Sequence, residues 1–281
     1  MRRTWAGRFV GLVAYQLETV FQRLELGDLV TVRATEEGCR IECRGAEVGP
    51  PERNLAWRAA VGYAERTGWP AGFAIDIEKR IPVGGGLGGG SADAGAVLRA
   101  LNALSPRPLP AADLLDLATP LGADVPFLTG DAVLALAWGR GERMLALPPL
   151  PARDVLLWTS AEGVATADAY RWLAASRGAH VPAARLWQAS DFASWDDVGS
   201  EAENDFERVV PQRVAQIGNR LGTLRILQRD ARDRGFSLLA GSGATVFALT
   251  DGRLAHPATA ERGEVVRTRT AERVAAVELL H

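Results

Sequence analysis

The chain contains almost no lysine and almost no cysteine. Lys79 is the only lysine among 32 lysine and arginine residues, and Cys39 and Cys43 are the only cysteines. Two cysteines without histidine partners argue against a zinc site and favour free thiols in a reducing cytoplasm. No apolar run approaches the roughly 20 residues of a membrane span, and the net charge of −2 gives no attraction to nucleic acid or anionic membrane. We therefore expect a cytoplasmic protein that binds neither.

The length and composition are those of a folded protein with two domains. The chain has 281 residues, of which 47% are hydrophobic, and this is enough for two domains of ordinary size. Pro148, Pro149 and Pro151 interrupt the chain near its middle and predict the boundary there. We expect one domain over residues 1–150 and a second over residues 151–281.

A glycine-rich segment is the most informative feature of the chain. Residues 82–91 read PVGGGLGGGS, with six glycines in seven positions. Alternating apolar residues over 73–78 predict a strand before it, and apolar residues at helical spacing predict a helix from Ser91 to the stop at Pro106. Backbone N–H groups of such a loop, together with the dipole of the following helix, favour bound phosphate.

The glycines alone leave the kind of phosphate site open. A Walker A loop would end in lysine and Ser or Thr, whereas Gly89 and Gly90 are followed directly by Ser91. The G-x-G-x-x-G dinucleotide pattern is satisfied, but a proline-rich stretch stands where its second strand should be. A glycine turn without a ligand is a further alternative, although six glycines carry a large cost in backbone entropy.

Hydrophobic periodicity and turn residues predict the elements around this segment. Predicted strands cover residues 30–34, 132–137 and 155–158, with a hairpin turn over residues 138–141. Asn54 is expected to cap a helix that ends at Gly68. A short helix is predicted over residues 111–119, and another from Val210 onward.

Several segments resemble the GHMP kinases, a family that includes galactokinase, homoserine kinase and mevalonate kinase. The first is IPVGGGLGGGSADAGAVLRALN, which is similar to the ATP-binding motif of this family. The others, in chain order, are YQLETVFQRLELGD, NLAWRAA, LGADVPF, NDFE and GSGATVFAL. The doubled GGG-L-GGG form is most similar to the branch that phosphorylates the 2-hydroxyl of a cytidine-diphosphate-linked methylerythritol.

The resemblance implies an α+β fold of two domains with the active site between them. The N-terminal domain would be a ribosomal-protein-like α/β domain that binds ATP, and the C-terminal domain would be ferredoxin-like. ATP and Mg²⁺ are the implied cofactors, and the implied partner is the small-molecule alcohol. The implied ATP-binding residues are Pro82, Val83, Gly84, Gly85, Gly86, Leu87, Gly88, Gly89, Gly90, Ser91 and Ala92. The implied substrate-binding residues are Tyr15, which would stack on the cytosine ring, Lys79, Thr166, Gly241, Ser242 and Gly243.

Asp124 is the candidate catalytic base. It stands among apolar neighbours in LGADVPF, where partial burial would raise its pKa. In the resembling family the aspartate of this motif orients or deprotonates the acceptor hydroxyl. By itself the pattern also fits a turn aspartate that bonds its own backbone. Ser91 is expected to be first on its helix and to reach phosphate or Mg²⁺; a plain N-cap is the alternative, and the two roles are compatible. Lys79 is either a compact cation in the site or a solvated strand end.

The N-terminus departs from the family pattern. The family begins with a P-A-K-x-N-L strand and a loop ending in Gly-Tyr-His, whereas this chain has neither that lysine nor that asparagine and reads Ala14-Tyr15-Gln16. Either the gene start or frame is wrong, or part of the site has been lost. Two functional alternatives therefore stand beside the main one: a GHMP kinase for another small alcohol, and a degenerate kinase that binds nucleotide without turnover.

Overall fold

The computed structural model describes residues 17–46, 49–160, 163–176, 186–255, 257 and 264–279. In this part of the chain ten strands form three sheets, accompanied by eight α-helices. The strands are β1 (Leu17–Gln22), β2 (Leu29–Thr35), β3 (Cys39–Arg44), β4 (Gly72–Glu78), β5 (Leu134–Gly139), β6 (Arg143–Leu147), β7 (Asp154–Trp158), β8 (Phe236–Leu239), β9 (Val246–Thr250) and β10 (Val265–Arg269). The helices are α1 (Leu55–Thr67), α2 (Gly89–Leu104), α3 (Ala111–Ala118), α4 (Val125–Thr129), α5 (Thr166–Ser176), α6 (Trp195–Glu201), α7 (Val210–Arg213) and α8 (Ala215–Ala231).

Strand β4 is the centre of the sheet that leads into the glycine segment. It pairs antiparallel with β2 and parallel with β3. Phe73, Ile75 and Ile77 lie in one buried cluster with apolar side chains of α1 and α2, as the alternation predicts. Because β4 ends at Glu78, the chain leaves the sheet just before the glycines.

Helix α1 begins and ends where its caps predict. The Asn54 side chain accepts a hydrogen bond from the Ala56 amide at 2.9 Å, which satisfies one of the free N–H groups of the first turn. Gly68 ends the helix with φ of 71°, a left-handed conformation that glycine adopts without steric cost. This helix packs against α2 and so supports the element that follows the glycine segment.

Helix α2 begins two residues earlier than the sequence predicts. Gly88 is its N-cap, with φ of 69°, and the first helical hydrogen bond runs from the Ala92 amide to the Gly88 carbonyl at 2.8 Å. Gly89 and Gly90 therefore form its first turn, although glycine is a poor helix former. The predicted start at Ser91 and the alternative in which Ser91 is the N-cap are both wrong, because the left-handed Gly88 already turns the chain into the helix.

The second half of the chain is built on a four-stranded antiparallel sheet in the order β10-β7-β9-β8. The helix predicted from Val210 is present but divided into α7 and α8. In the β1-β5-β6 sheet, Trp138 still pairs with Arg143, so the hairpin turn covers residues 140–142, slightly later than predicted. The two sheets share one apolar cluster, which includes Leu134, Leu147 and Leu157.

Both cysteines lie on the edge strand β3. Cys39 is exposed and Cys43 is half-buried, and both thiols are free. They pair in register with Phe73 and Ile77 of β4, and therefore lie on one face of β3. None of the described helices is both long and apolar enough to cross a bilayer.

Candidate active site

The glycine segment forms an irregular loop between β4 and α2. Gly84, Gly86 and Gly88 have φ of 77°, 74° and 69°, so every second residue is left-handed. Alternation of left-handed residues is typical of loops in which successive backbone N–H groups form a concave anion site. The 16-residue helix α2 begins directly after it and adds the positive end of its dipole.

This loop packs against the turn between β8 and β9 in the second half of the chain. The Thr245 amide donates to the Gly85 carbonyl at 3.1 Å. A Cβ at Gly85 would lie 2.7 Å from Thr245 Oγ1, and one at Gly86 would lie 2.5 Å from the Gly243 carbonyl oxygen. Gly85 and Gly86 therefore lack room for a side chain because of this packing, whether or not a ligand is bound.

The Gly241–Ser242–Gly243 turn is held from two sides. The Asn204 amide nitrogen donates to the carbonyls of Leu239 and Gly241, both at 2.8 Å. The Ser242 hydroxyl donates to the Thr166 hydroxyl at 3.1 Å, and Thr166 is the first residue of α5. The structure therefore brings Thr166, predicted as a polar substrate contact, next to this turn.

Asp124 faces the glycine loop from the segment that follows α3. A Cβ at Gly88 would lie 3.6 Å from Asp124 Oδ2. The carboxylate stands at the N-cap position of α4 but makes no capping bond, and it forms no hydrogen bond or ion pair with any described residue. Burial raises its pKa above the ordinary value. It is thus a carboxylate poised toward the loop rather than a turn aspartate bonded to its own backbone.

Ser91 lies in the first turn of α2, close to the segment that carries Asp124. A Cβ at Gly122 would lie 3.9 Å from Ser91 Oγ. The hydroxyl and the carboxylate therefore belong to neighbouring parts of one site. Tyr15, the remaining predicted substrate contact, lies outside the described residues.

Lys79 lies between two carboxylates and is not a solvated strand end. Its ammonium donates to Asp28 Oδ2 and, at 2.8 Å, to Asp93 Oδ2. The three side chains are only 2 to 5% exposed, and we call them the Asp28–Lys79–Asp93 cluster. Burial alone would lower the pKa of Lys79, but the two carboxylates outweigh it and the pKa is raised.

The sequence interpretation did not identify Asp28 and Asp93 as site residues. Both line the large groove that also contains Gly86, Gly88 and Asp124. The signal that could have found them is the single lysine, because a buried ammonium needs anionic partners. Both partners lie within segments already quoted for the family resemblance, but spacing along the chain does not reveal which carboxylates meet.

Comparison with known proteins shows which class of protein has this fold and this loop. The family model described as the GHMP kinases N terminal domain matches residues 54–131. A crystal structure of homoserine kinase from Cytophaga hutchinsonii shares the fold, with a TM-score of 0.61 at 19% identity over 95% of this chain and 98% of that one. The fold and the glycine loop are therefore those of a GHMP kinase, a small-molecule kinase with an α+β architecture, as the resemblance predicted.

Two more similar proteins define the family within that class. The 4-diphosphocytidyl-2-C-methyl-D-erythritol kinase of Geobacter sp. (strain M21) is 35% identical over 258 residues, which cover 91% of this chain and 87% of the relative. A crystal structure of 4-(cytidine 5'-diphospho)-2C-methyl-D-erythritol kinase matches with a TM-score of 0.70 and 32% identity, covering 91% of this chain and 90% of that one. The chain belongs to the 4-diphosphocytidyl-2-C-methyl-D-erythritol kinase family.

Proposed function

We propose that this protein transfers the γ-phosphoryl group of ATP to the 2-hydroxyl of 4-diphosphocytidyl-2-C-methyl-D-erythritol. The observation that carries the proposal is the position of Asp124, whose carboxylate faces Gly88 of the glycine loop. A phosphate cradle beside a carboxylate that no described residue binds suits phosphoryl transfer to an alcohol. The names of the relatives support this acceptor over mevalonate or homoserine.

The loop and helix α2 would bind the phosphates. The N–H groups of the loop and of the first turn of α2 would donate to a phosphate, since the glycines carry no side chain that would block it. Ser91, in that first turn, adds a hydroxyl donor. Binding by backbone groups fixes the phosphate in position and leaves the transferring phosphoryl group open to the acceptor.

Asp124 would act on the acceptor hydroxyl. Its raised pKa makes the carboxylate a better proton acceptor, and it makes no bond to a described residue that would compete for its oxygens. Held against the alcohol, it orients the oxygen in line with the γ-phosphorus and takes the proton as the new O–P bond forms and the bond to ADP breaks.

Mg²⁺ fits this donor set. No group of three or more acidic, histidine or cysteine side chains is placed to hold a metal ion among the residues that the structure describes. Mg²⁺ is usually held by one or two protein oxygens together with phosphates and water, and Ser91 is the residue that would contact it. When bound, the ion neutralises charge on the phosphates.

The second half of the chain would supply the contacts to the alcohol substrate. The Gly241–Ser242–Gly243 turn borders the loop, and Thr166 is joined to it through Ser242. Lys79 is proposed as a further cation near the site, although its ammonium is already bonded to two carboxylates. Tyr15 is proposed to stack on the cytosine ring.

The proposal is tested by ADP release from MgATP with three candidate acceptors. The purified protein is assayed with 4-diphosphocytidyl-2-C-methyl-D-erythritol, mevalonate and homoserine at equal concentrations, with ATP alone as the blank. We expect release that depends on the cytidyl substrate. Faster turnover of another alcohol would overturn the substrate assignment, and an ATP-induced thermal shift without turnover would indicate a degenerate kinase.

A further inference from the structure

Asp28 holds the start of the glycine loop. Its Oδ1 accepts hydrogen bonds from the Arg80 amide at 2.6 Å and from the Ile81 amide at 2.8 Å. These two residues join β4 to the loop, beyond the last residue that pairs in the sheet. One carboxylate oxygen therefore fixes the direction in which the chain leaves the sheet.

Asp93 holds the end of the loop through Lys79. Asp93 lies in the second turn of α2, and its Oδ2 accepts from the Lys79 ammonium at 2.8 Å. A Cβ at Gly89 would lie 3.4 Å from the same ammonium nitrogen. The lysine thus lies against the first turn of the helix while its other bond reaches Asp28.

The cluster is buried, and its two carboxylates face only one ammonium. Asp93 Oδ1 is buried and has no hydrogen-bond partner among the described residues. The Cys43 thiol interacts electrostatically with all three side chains of the cluster and accepts a hydrogen bond from the Asn54 amide nitrogen at 3.7 Å. A buried ion cluster of this kind is weak evidence for stability, and its best-attested use is to select one arrangement of the chain.

We propose that Asp28, Lys79 and Asp93 are positioning residues that hold the two ends of the glycine loop at the spacing that nucleotide phosphate requires. The proposal rests on the function proposed above, in which this loop binds ATP. Asp28 is bonded to the two amides before the loop, Asp93 belongs to the helix after it, and Lys79 joins them. An ammonium suits this place because one nitrogen donates to both carboxylates, whereas a guanidinium presents a wide planar fork.

The proposal is tested with Asp28→Asn, Asp93→Asn and Lys79→Arg. The two Asp→Asn variants keep the side-chain shape and remove a charge, whereas Lys79→Arg keeps the charge and changes the donor geometry. We expect the KM for ATP to rise by about tenfold or more, the range for losing a hydrogen bond to a charged group. For Asp28→Asn and Asp93→Asn the KM for the alcohol should stay within about twofold, because the acceptor side of the site is unchanged.

The matched control is Asp76→Asn. Asp76 lies on β4 and pairs with Arg33 at 2.5 Å, so the variant breaks an ion pair on the same strand without touching the loop. Its two KM values should equal those of the parent protein. A purely structural role of the cluster would lower the melting temperature without changing the ratio of the two KM values.

The outcomes separate this proposal from the proposed function. A parent protein that shows no thermal shift with MgATP contradicts the function itself. If the parent binds ATP and the folded Asp28→Asn and Lys79→Arg variants keep its ATP KM, the positioning role is wrong. If those two variants do not fold, Asp93→Asn provides the test, because its neutral amide has the shape of the protonated acid. An ATP KM of Asp93→Asn equal to that of the parent protein would overturn the proposal.

Discussion

Gly88 and Asp124 face each other across the start of helix α2, with a Cβ at Gly88 placed 3.6 Å from Asp124 Oδ2. The glycine comes from the loop after β4 and the aspartate from the segment between α3 and α4. Helices α2 and α4 pack against each other, which keeps the two segments in contact. The proposed phosphate-binding loop and the candidate base therefore lie next to each other.

We predict that Asp124→Asn lowers kcat by about 10² to 10⁴ and leaves ATP affinity nearly unchanged, because a positioned base is lost while the cradle remains. Steady-state kinetics and an ATP thermal shift measure the two effects. Asp116→Asn, on the exposed side of α3, is the control and should behave as the parent protein does. Parent-like turnover by Asp124→Asn would show that Asp124 is not the base.

We predict that Gly86→Ala destabilises the fold more than Gly84→Ala. Both glycines have similar positive φ, so both variants incur the left-handed penalty of about 1 to 2 kcal/mol. A Cβ at Gly86 would also lie 2.5 Å from the Gly243 carbonyl oxygen, whereas nothing lies within 4 Å of one at Gly84. Urea unfolding measures the difference, and equal losses would mean that the loop does not pack on this turn.

We predict that Asp93 makes stability depend on pH. Burial, together with the nearby Asp28 carboxylate, raises the pKa of Asp93 from 3.8 to about 6 despite the opposing effect of Lys79. The folded protein therefore holds this proton more tightly than the unfolded chain. The resulting stabilisation is complete below pH about 4 and is lost as the pH rises through 6, by on the order of 2 to 3 kcal/mol.

The measurement compares the pH dependence of the parent protein and of Asp93→Asn. Urea unfolding between pH 4 and 7 should show a larger fall in the free energy of unfolding for the parent than for the variant. Since Asp124 also has a raised pKa, a smaller fall in the same direction remains in the variant. Identical slopes in parent and Asp93→Asn would contradict the assignment.

We predict that Arg23→Met destabilises the protein by about 2 to 4 kcal/mol. The Arg23 guanidinium donates to the carbonyls of Phe127 and Gly130 at 2.5 and 2.8 Å, and so holds the end of α4. Thermal and urea unfolding measure the loss. The control is Arg143→Met. The Arg143 side chain is exposed, and its Nε lies 3.8 Å from Glu142 Oε1. Its loss should lower the free energy of unfolding by less than about 0.5 kcal/mol. A comparable effect of both variants would contradict this role.

Much of the fold near the site was accessible from the sequence. The caps of α1 at Asn54 and Gly68 depend on neighbouring residues only, and the burial of Phe73, Ile75 and Ile77 follows from strand periodicity. Helix propensity predicts the start of α2 wrongly at Ser91. Glycine is a poor helix former, so local rules end the loop only after its last glycine. The left-handed Gly88 decides the boundary instead.

The sequence by itself determined the class of chemistry, because six glycines within seven residues before a helix have few uses other than phosphate binding. The motif is also shared by a family. The sequence also marked Asp124 and the Gly241–Ser242–Gly243 turn. Only the tertiary structure decided that this turn packs on the loop and that Lys79 bonds Asp28 and Asp93. The reason is physical: these contacts join residues far apart in the chain, and the pairing of buried charges depends on distance in space, which sequence spacing does not encode.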